Sequence, residues 1–381
     1  MKIAIIGQGY VGRSIAEASV GAGHSVIGFD TNALVISVLN FQGDYTGTTD
    51  ASLIGGAEII VIAVPTPLDS ARQPDLSAVR AACKTIIDNV KKPVLIINES
   101  TSYPGTLRNE IAAFIEGASG VGHMYAASPE RVDPGNVKWS QKNTPRLLAG
   151  LTPEATALAS KFYGAFCDQI VAVSTPEVAE AAKLFENTFR QVNIALVNEF
   201  AQISNALNIP TREVLDAAAT KPFGFMSFNP SAGVGGHCIP IDPSYLAYVA
   251  EGAGVPATFI RYANEVNLGI SKYVVSRVGK DVGNLKGKNI VVVGLAYKAN
   301  ISDTREAPAA LIISELEKVG AKVSWHDPVV GTWNKQSSAD LKGFDVAIVV
   351  TKHDVVKEAD IKGGATYVFD CTGTIKGVAG L

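Results

Sequence analysis

The chain has 381 residues, of which 47% are hydrophobic and 18% are charged. This composition is typical of a globular protein with well-buried cores, and the length allows two or three domains. The formal net charge is only −3 and no long basic run occurs, so we expect no nucleic-acid partner. No stretch of about 18 uncharged apolar residues is present, so we expect no membrane span.

The first part of the chain alternates short apolar runs with helical patterns. The runs predicted to be buried strands are KIAIIG, HSVIGFD, AEIIVIAVPTP, KPVLIINEST and HMYAASPER. Segments between them, such as DLSAVRAACKTIIDNV, have the spacing of helices. Strands that alternate with helices predict a Rossmann-like, doubly wound parallel sheet, which we assign to an NAD-binding domain over residues 1–173.

A glycine-rich turn joins the first strand to the first helix. In its GxGxxG pattern, one glycine makes the turn, one lets a pyrophosphate approach the backbone and one lets helix and strand pack closely. Asp30 ends the next strand, where a carboxylate binds the ribose hydroxyls of NAD and repels the 2′-phosphate of NADP. The turn residues predicted to bind NAD are Gly7, Gly9, Tyr10, Val11 and Gly12. The alternative is the same fold with another phosphate ligand.

Polar and turn residues follow three further strands. Ligands of such sheets bind at the carboxyl ends of strands. We therefore expect the residues after the first two of these strands to face the cofactor, and the alternative is that they only close the turns. These residues are Val64, Pro65, Thr66, Ser100 and Thr101. Thr101 is also predicted to be catalytic. After the third strand, Glu130 is predicted to hold a water or a substrate hydroxyl beside Arg131, and the alternative is a surface ion pair between these two residues.

The middle of the chain, residues 174–283, is predicted to be a helical domain. Its first segment, residues 174–208, contains no glycine and has its only proline at position 176, where proline suits a first helical turn. A Ser-Thr pair before that proline and a glutamate after it complete the start signal. The pattern therefore predicts one long helix.

Lys183 and Asn187 lie four residues apart on this helix and therefore share one face. Among apolar neighbours, this pair is predicted to hold an oxyanion by charge and hydrogen bonding. The alternative is a solvated lysine on an amphipathic helix. Asn193 and Asn198, further along, are expected to be packing residues at helix contacts.

A loop rich in glycine and proline, SAGVGGHCIPIDP at residues 231–243, surrounds Cys238. Because glycine and proline impose defined backbone shapes, the pattern predicts a loop built to present this thiol to a substrate. Asp242, held between two prolines, is a candidate acid or base, whereas the side chain of His237 is expected to point away from Cys238. No metal site is expected, because further ligands with suitable spacing are missing.

The other cysteines are interpreted from their surroundings. Cys83 and Cys167 lie in apolar segments and are predicted to be core residues, while Cys371, after the last strand, fits either a core or a site position. The four cysteines show no CxxC spacing, which predicts neither a disulfide framework nor a zinc site and fits a reducing cytoplasm.

The last part of the chain, residues 284–381, returns to the strand-and-helix pattern. Its apolar runs are NIVVVG, KVSWHDP, FDVAIVVT and YVFDCT, with the helical segment ALIISELEKVGA among them. The pattern predicts a second, smaller Rossmann-like domain. The whole chain is therefore expected to be an α/β protein with a helical region between two α/β domains.

The order of several segments resembles that of the UDP-glucose/GDP-mannose dehydrogenase family over nearly the whole chain. The segments are GQGYVG, PTP, ESTSYPGT, SPERVDPGN, EVAEAAKLFENTFRQVNIALVNE, GVGGHCIPIDPSYL and GLAYKANISDTREAP. The spellings SPERVDPGN and ATKPFGF are most similar to the branch that oxidises UDP-N-acetylhexosamines, UDP-N-acetylglucosamine above all.

The resemblance implies a four-electron oxidation of the C6 alcohol of a UDP-sugar to a carboxylate, with two NAD consumed. Cys238 would attack the intermediate aldehyde, and the thiohemiacetal would become a thioester that water hydrolyses. Glu130 would position that water, Lys183 and Asn187 would stabilise oxyanions, and Asp242 would assist proton transfer. UDP-N-acetylglucosamine is the expected substrate, with UDP-N-acetylmannosamine and UDP-glucose as alternatives.

The resemblance also implies binding roles. Residues expected to bind the nucleotide sugar, besides Glu130, Lys183 and Asn187, are Arg131, Phe228, Asn229, Gly233, Gly235, Tyr297 and Lys298. Arg305 would approach the cofactor, and residues 284–381 would form the UDP-sugar-binding domain. The long helix would form the interface of a homodimer or a higher homo-oligomer.

The sequence departs from the family pattern at several positions. The usual PGPG reads Pro230-Ser231-Ala232-Gly233, and the segment between Asp30 and Ala57 looks short and lacks a basic residue often found there. Family members usually have an arginine two positions after the aspartate that ends the last strand. Here that aspartate is Asp370 and the position is Thr372, so the substrate contact from that arginine is missing.

Two other functions are considered. A two-electron 3-hydroxyacid dehydrogenase also joins a dinucleotide domain to a helical domain and uses a lysine and an asparagine four residues apart. It needs neither a catalytic cysteine nor a second α/β domain, so Cys238 and the GLAYKANISDTREAP segment argue against it. A non-catalytic NAD-binding protein that kept the fold is disfavoured by the intact set of candidate catalytic residues.

Overall fold

The computed structural model describes residues 1–133 and 135–381, which form two compact units. One unit comprises Met1–Glu186 and Ser244–Val255, and the other comprises Asn187–Pro243 and Pro256–Leu381. Each unit contains a β-sheet with its own apolar core. The predicted division of the chain at residues 173/174 and 283/284 stays a prediction.

The first unit is built on an eight-stranded sheet. Its strands are β1 (Lys2–Ile6), β2 (Ser25–Phe29), β3 (Thr46–Thr48), β4 (Ile59–Ile62), β5 (Leu95–Asn98), β6 (Met124–Ala127), β7 (Arg146–Gly150) and β8 (Ile170–Ala172). They lie in the order β3-β2-β1-β4-β5-β6-β7-β8. The first six are parallel and have the strand order of a dinucleotide-binding sheet. The predicted doubly wound fold is therefore confirmed.

One edge of this sheet carries two strands that the sequence analysis does not predict, β7 and β8. Strand β7 runs antiparallel to β6 and pairs Gly150 with Ala126. A parallel return requires a crossover, usually a helix, and no helix occurs among the described residues between β6 and β7. The short runs RLLAG and IVA of β7 and β8 carry too little periodicity to be recognised from sequence.

The second unit contains a five-stranded parallel sheet and a small antiparallel pair. Its strands are β9 (Asn289–Val293), β10 (Lys322–His326), β11 (Thr332–Trp333), β12 (Gln336–Ser337), β13 (Phe344–Val349), β14 (Ala365–Asp370) and β15 (Ala379–Gly380). The parallel order is β10-β9-β13-β14-β15, and β11 pairs with β12. The second Rossmann-like sheet predicted for this part of the chain is confirmed.

Helices account for most of the remaining ordered structure. They are α1 (Tyr10–Gly21), α2 (Ala33–Gln42), α3 (Ser77–Asn89), α4 (Ala113–Ser119), α5 (Pro153–Tyr163), α6 (Pro176–Ala206), α7 (Thr211–Ala219), α8 (Asp242–Gly252), α9 (Thr258–Val282), α10 (Pro308–Lys318) and α11 (Glu358–Gly364). A 3₁₀ turn at Ala51–Gly56 and a π-helical turn at Thr106–Ala112 complete the set. Within the described residues, no helix has both the length and the apolar character needed to cross a membrane.

Apolar side chains from strands and helices form the two cores. In the first unit, Ile5 of β1 and Val61 of β4 pack with Ile15 of α1 and Phe162 of α5, all fully buried. In the second, strand residues such as Val292 join apolar residues of α9 and α10. These continuous apolar strands are typical of parallel sheets covered on both faces.

The long helix α6 forms as the sequence predicts. Thr175 caps its start by accepting a hydrogen bond from the Val178 N–H at 3.4 Å. On its second turn, Glu180 is buried and accepts the backbone N–H groups of Gly105 at 2.7 Å and Leu107 at 2.9 Å. Burial raises the pKa of Glu180 to about 7, although both hydrogen bonds favour the charged form.

This raised pKa predicts a pH-dependent stability. Between pH 4.5 and pH 7 the folded protein binds more protons than the unfolded chain, so the stabilisation is complete below pH 4.5 and is lost as the pH rises through 7. Relative to Glu180→Gln, we expect the free energy of unfolding of the wild type to fall by about 3 kcal/mol across this range. Urea unfolding at several pH values measures this difference.

The exposed Glu213 of α7 provides a matched control, because Glu213→Gln removes the same charge from the surface. We expect its difference from the wild type to change little with pH. If the Glu180→Gln difference is equally insensitive to pH, Glu180 does not bind the proton assigned to it.

Candidate active-site residues

The loop between β1 and α1 has the geometry that a pyrophosphate requires. Gly7 has a φ of +94°, and a Cβ built on it would lie 2.4 Å from the Ala63 carbonyl oxygen. A Cβ on Gly12 would lie 1.9 Å from the Gly7 carbonyl oxygen, so only glycine allows α1 to pack this closely. A Cβ on Gly9 would face open space, which leaves the backbone accessible at the start of α1.

Asp30 follows β2 and lies beside this loop. Its carboxylate accepts the backbone N–H groups of Gln8 and Asn32, both at 2.8 Å. These bonds hold a negative charge where a nucleotide ribose binds in such sheets. Tyr10 is half exposed at the first position of α1, with Val11 next to it. The residues present therefore fit NAD.

The strand ends of β4 and β5 are tied to each other. The Ser100 hydroxyl accepts the Val64 N–H at 2.9 Å and donates to the Val64 carbonyl at 2.8 Å. This bonding is the turn chemistry considered as the alternative for Ser100. Thr66 is buried, Pro65 is exposed and Thr101 is half-buried. The cofactor contacts of these residues stay predictions.

Glu130 belongs to a buried charge network and not to the surface. Its Oε1 accepts the backbone N–H groups of Arg131 at 2.7 Å and Val132 at 2.6 Å. Its Oε2 accepts the Gln141 amide at 2.6 Å and Arg146 at 3.1 Å. Burial opposes ionisation, but Arg146 and these hydrogen bonds lower the pKa of Glu130. The carboxylate is thus ionised, with its four acceptor directions used by protein donors.

Arg146, at the start of β7, joins Glu130 to a second buried carboxylate. Its Nη1 lies 2.5 Å from Glu99, which also accepts the Tyr163 hydroxyl. Burial raises the pKa of Glu99 to about 7. Sequence reasoning missed Arg146 and Glu99. The available signal was an arginine that opens an apolar run, because a buried cation needs carboxylate partners.

The alternative of a surface ion pair between Glu130 and Arg131 is wrong. The Arg131 guanidinium pairs instead with Glu186 at 2.7 Å and donates to the Pro145 carbonyl at 2.7 Å. The solvated-lysine alternative for Lys183 is also wrong, because this residue is only 8% exposed. Its charge contributes to the lowered pKa of Glu130.

The second unit holds Cys238 in a closely bonded turn before α8. The Cys238 carbonyl accepts the N–H groups of Ile241 at 3.1 Å and Asp242 at 2.8 Å. Asp242 is buried, and its carboxylate accepts the side-chain amide of Asn187 at 2.5 Å. The structure therefore places Asn187 and Asp242, which were predicted separately as catalytic residues, in direct contact next to the turn that contains Cys238.

Two glycines let the Cys238 loop pack against Tyr297. A Cβ on Gly235 would lie 2.6 Å from the Tyr297 Cβ and 2.9 Å from Pro308. Gly236 has a φ of +88°, and its Cβ would lie 2.8 Å from the Tyr297 ring. The Gly236 N–H also donates to the Arg305 carbonyl at 3.0 Å. These glycines are therefore required by close approach within the protein.

The charged residues around the loop are also defined. Arg305 forms an ion pair with Asp303 at 2.5 Å. This hydrogen bond is the main cause of a raised pKa of Arg305, and the charges of Tyr297 and Cys238 add to it. Burial, reinforced by the Arg305 charge, lowers the pKa of His237, which favours its neutral form at pH 7. A Cys238 thiolate is thus attracted by the guanidinium of Arg305.

Other predicted residues of this unit have structural contacts. Phe228 packs edge-on against Phe189 with ring centroids 6.0 Å apart, and Asn229 is exposed. Gly233 has a φ of +128°, and its Cβ would lie 3.0 Å from the Asn267 carbonyl oxygen of α9. Lys298 is half-buried in the loop after β9.

Asn198 confirms its predicted role at a helix contact. Its amide donates to Asn267 at 3.1 Å, and its carbonyl oxygen accepts the Ser231 N–H at 2.9 Å. The start of the Cys238 loop is thereby tied to α6 and α9. Sequence reasoning assigned no role to Asn267.

A buried aspartate–histidine pair supports the loop after β9. Asp327 accepts the N–H groups of Leu295 at 2.8 Å and Ala296 at 3.0 Å. His353 Nδ1 accepts the Asn300 N–H at 2.8 Å, so Nε2 carries the proton that reaches Asp327 at 2.9 Å. Although burial opposes it, these bonds lower the pKa of Asp327 to about 2.

The four cysteines differ in how deeply they are buried. Cys83 and Cys167 are buried, which confirms the core prediction, and Cys371 is also buried in the core of the second unit. Cys238 is partly exposed. Among the described residues, no group of three His, Cys, Asp or Glu side chains could hold a metal ion.

The fold and the residues of the β1–α1 loop define the class of dinucleotide-dependent dehydrogenases. Models of the UDP-glucose/GDP-mannose dehydrogenase family match the chain in three parts: the NAD binding domain at residues 39–167, the central domain at 177–268 and the UDP binding domain at 291–377. The chain belongs to the UDP-glucose/GDP-mannose dehydrogenase family, as its motifs predict, and NAD is its cofactor.

The similar proteins are named after two different sugar substrates, N-acetylglucosamine and N-acetylmannosamine. A UDP-N-acetyl-D-glucosamine 6-dehydrogenase of Pseudomonas aeruginosa is 34% identical, over 87% of this chain and 83% of its own. A UDP-N-acetyl-D-mannosamine dehydrogenase of Pyrococcus horikoshii is 31% identical, over 94% and 91%. A solved structure of UDP-D-ManNAc dehydrogenase from Pyrococcus horikoshii has a TM-score of 0.87 and 29% identity, covering 100% of this chain and 99% of that chain.

The packing of Gly235 yields a test of the Cys238 loop. We expect Gly235→Ala to lower the free energy of unfolding by about 1–3 kcal/mol, because the new methyl group overlaps Tyr297 and Pro308. The rate at which Cys238 reacts with a disulfide reagent should also change, because the loop shifts. Urea unfolding and thiol titration measure the two effects.

Gly269 is the matched control. A Cβ on this α9 residue meets nothing within 4 Å, so Gly269→Ala should stabilise the protein by about 0.5–1 kcal/mol and leave the thiol rate unchanged. Equal behaviour of the two variants would contradict the packing described here.

Proposed function

We propose that the chain is an NAD-dependent UDP-sugar 6-dehydrogenase that oxidises the C6 alcohol of a UDP-N-acetylhexosamine to a carboxylate through Cys238. UDP-N-acetylglucosamine is the first candidate substrate. The observation that carries the proposal is the Cys238 turn, whose thiol is partly exposed beside Arg305 and the bonded pair Asn187 and Asp242. The UDP binding domain at residues 291–377 supports the substrate class.

The residues of the β1–α1 loop and Asp30 would hold the NAD. When bound, NAD supplies the two-electron acceptor for each oxidation of C6. The first oxidation gives the aldehyde, and the Cys238 thiolate adds to its carbon while the carbonyl oxygen gains a proton. The thiohemiacetal is oxidised at the same carbon to a thioester. Water then adds, and the C–S bond breaks to return the thiol.

The sum of these steps balances. One alcohol, two NAD⁺ and one water give one carboxylate, two NADH and three protons. Covalent attachment keeps the aldehyde from leaving between the two oxidations, which a single-oxidation enzyme does not need. The cysteine therefore distinguishes this reaction from that of a two-electron 3-hydroxyacid dehydrogenase.

The other predicted catalytic side chains divide the proton and charge chemistry in this proposal. Lys183 and Asn187, one turn apart on α6, stabilise the oxyanions that develop at C6. Asp242 takes and returns the protons of the added groups. Glu130 contributes a fixed negative charge next to Lys183, because its acceptor directions are occupied by protein donors. Its part in orienting water is therefore indirect.

A panel of substrates tests the proposal. We expect UDP-N-acetylglucosamine to be oxidised faster than UDP-N-acetylmannosamine, UDP-glucose or GDP-mannose, with NADH formation and the uronic acid followed together. Cys238→Ala should reduce acid formation to background, since no thioester forms. Cys83→Ala, at a buried position, should keep the reaction. Undiminished acid formation by Cys238→Ala would contradict the proposal.

We also propose a homo-oligomer, at least a dimer, that associates through α6. Phe189, Leu196 and Ile203 are 42%, 65% and 49% exposed and are spaced by seven residues, so they form one apolar stripe. Such exposed apolar stripes mark association surfaces.

We also propose a cytoplasmic location, because the thiol form of the four cysteines fits a reducing compartment.

This interface predicts a change of mass in solution. Leu196→Glu places a charge in the middle of the stripe and should shift the protein to monomer, as measured by sedimentation or light scattering. Lys84→Glu, on the exposed face of α3 at 73% side-chain exposure, is the control and should leave the mass unchanged. A Leu196→Glu protein with the mass of the wild type would place the interface elsewhere.

A further inference from the structure

An arginine of the helical region lies over the loop that follows β14. Arg212 is the second residue of α7, and its guanidinium fills the space in front of Gly373. A Cβ built on Gly373 would lie 1.7 Å from the Arg212 Cζ and 1.9 Å from its Nε. Gly373 also has a φ of +66°. Glycine at this position therefore makes room for the guanidinium.

The guanidinium has no partner where it lies. Its Nη2 is buried without a hydrogen bond, and Arg212 makes no ion pair with a residue in the described part of the chain. The nearby Asp370 is used within its own loop, where it accepts the N–H groups of Thr372 at 2.7 Å and Ile375 at 2.8 Å. Arg212 is half-buried, and its Nη2 lacks both water and a protein acceptor, so an anion from outside would satisfy this group with a hydrogen bond.

The position of Arg212 connects this cation to nucleotide binding. The loop after β14 lies at the carboxyl edge of the second parallel sheet, the edge where such sheets bind ligands. It also falls within residues 291–377, which match the UDP binding domain. The loop after β14, residues 371–378, contains no arginine of its own. The loop thus lacks its own guanidinium and receives one from α7.

We propose that Arg212 binds the diphosphate of the nucleotide sugar and supplies the guanidinium that the loop after β14 lacks. This inference rests on the proposed UDP-sugar substrate. A guanidinium matches phosphate oxygens with two parallel hydrogen bonds, which a lysine cannot reproduce. Because Nη2 gives up no hydrogen bond when the side chain turns to the ligand, the side chain is ready to move.

Binding of UDP alone, without NAD or turnover, tests this role by titration calorimetry. We expect Arg212→Gln to weaken UDP binding by about 10-fold or more, and Arg212→Lys to restore only part of it. Lys376→Gln removes the same charge from an exposed position of the same loop and should change the affinity less than about twofold. NAD affinity should be the same in all four proteins.

Two results would overturn the role of Arg212. One is UDP affinity in Arg212→Gln equal to that of the wild type, and the other is an equal loss in Arg212→Gln and Lys376→Gln, which would indicate general charge attraction. If Arg212→Gln does not fold, as judged by NAD binding, the comparison rests on Arg212→Lys. In that case equal affinity of Arg212→Lys and wild type overturns the two-bond contact.

The outcome is separable from that of the proposed function. A wild type that binds UDP through Arg212 but oxidises no UDP-sugar would overturn the proposed reaction and leave the binding role intact. A wild type that oxidises a UDP-sugar, with the same Michaelis constant in Arg212→Gln, would overturn only the role of Arg212. A wild type that does not bind UDP would overturn that role as well.

Discussion

The close packing of Gly235 and Gly236 against Tyr297 fixes the loop that carries Cys238. Both glycines lie where any side chain would overlap the tyrosine, so the loop can follow this course only with glycine at these positions. Asn198 holds the start of the loop and the Cys238 carbonyl closes its end. A defined backbone at Cys238 limits the positions of its thiol, as the proposed covalent reaction requires.

The first unit contains a buried network of charged side chains, formed by Arg146, Glu99 and Glu130. Arg146 lies between Glu99 and Glu130, and this arrangement ionises Glu130 despite its burial. Removing one member of such a network leaves a buried charge without a partner, so each member depends on the others. An ionised Glu130 therefore lies near Lys183, and the proposed reaction makes use of this charge.

Local signals explain why much of this fold follows from the sequence. The uninterrupted run after Pro176 predicts α6, and the glycine pattern at residues 7–12 predicts the strand–turn–helix that fits NAD. The Cys238 loop was recognised because glycine and proline concentrate there. These features depend on neighbouring residues, so they are visible before the chain folds.

Contacts between distant residues explain what was missed. Arg146 contacts Glu99, which lies 47 positions away in the sequence. Arg212 likewise lies against Gly373, although the two residues are far apart in the sequence. The antiparallel β7 follows no local signal, because its direction depends on the course of the connection from β6, whose described residues form no helix. The occupied acceptor directions of Glu130 likewise depend on Gln141 and Arg146, which no local pattern joins to it.

The proposed reaction requires that a single thiol, that of Cys238, retains one sugar through two oxidations. This can be measured as the amount of NADH formed when a limiting, known amount of UDP-N-acetylglucosamine is consumed completely. We expect two NADH per sugar, with no aldehyde in solution. One NADH per sugar, with the aldehyde released, would show that Cys238 does not retain the sugar.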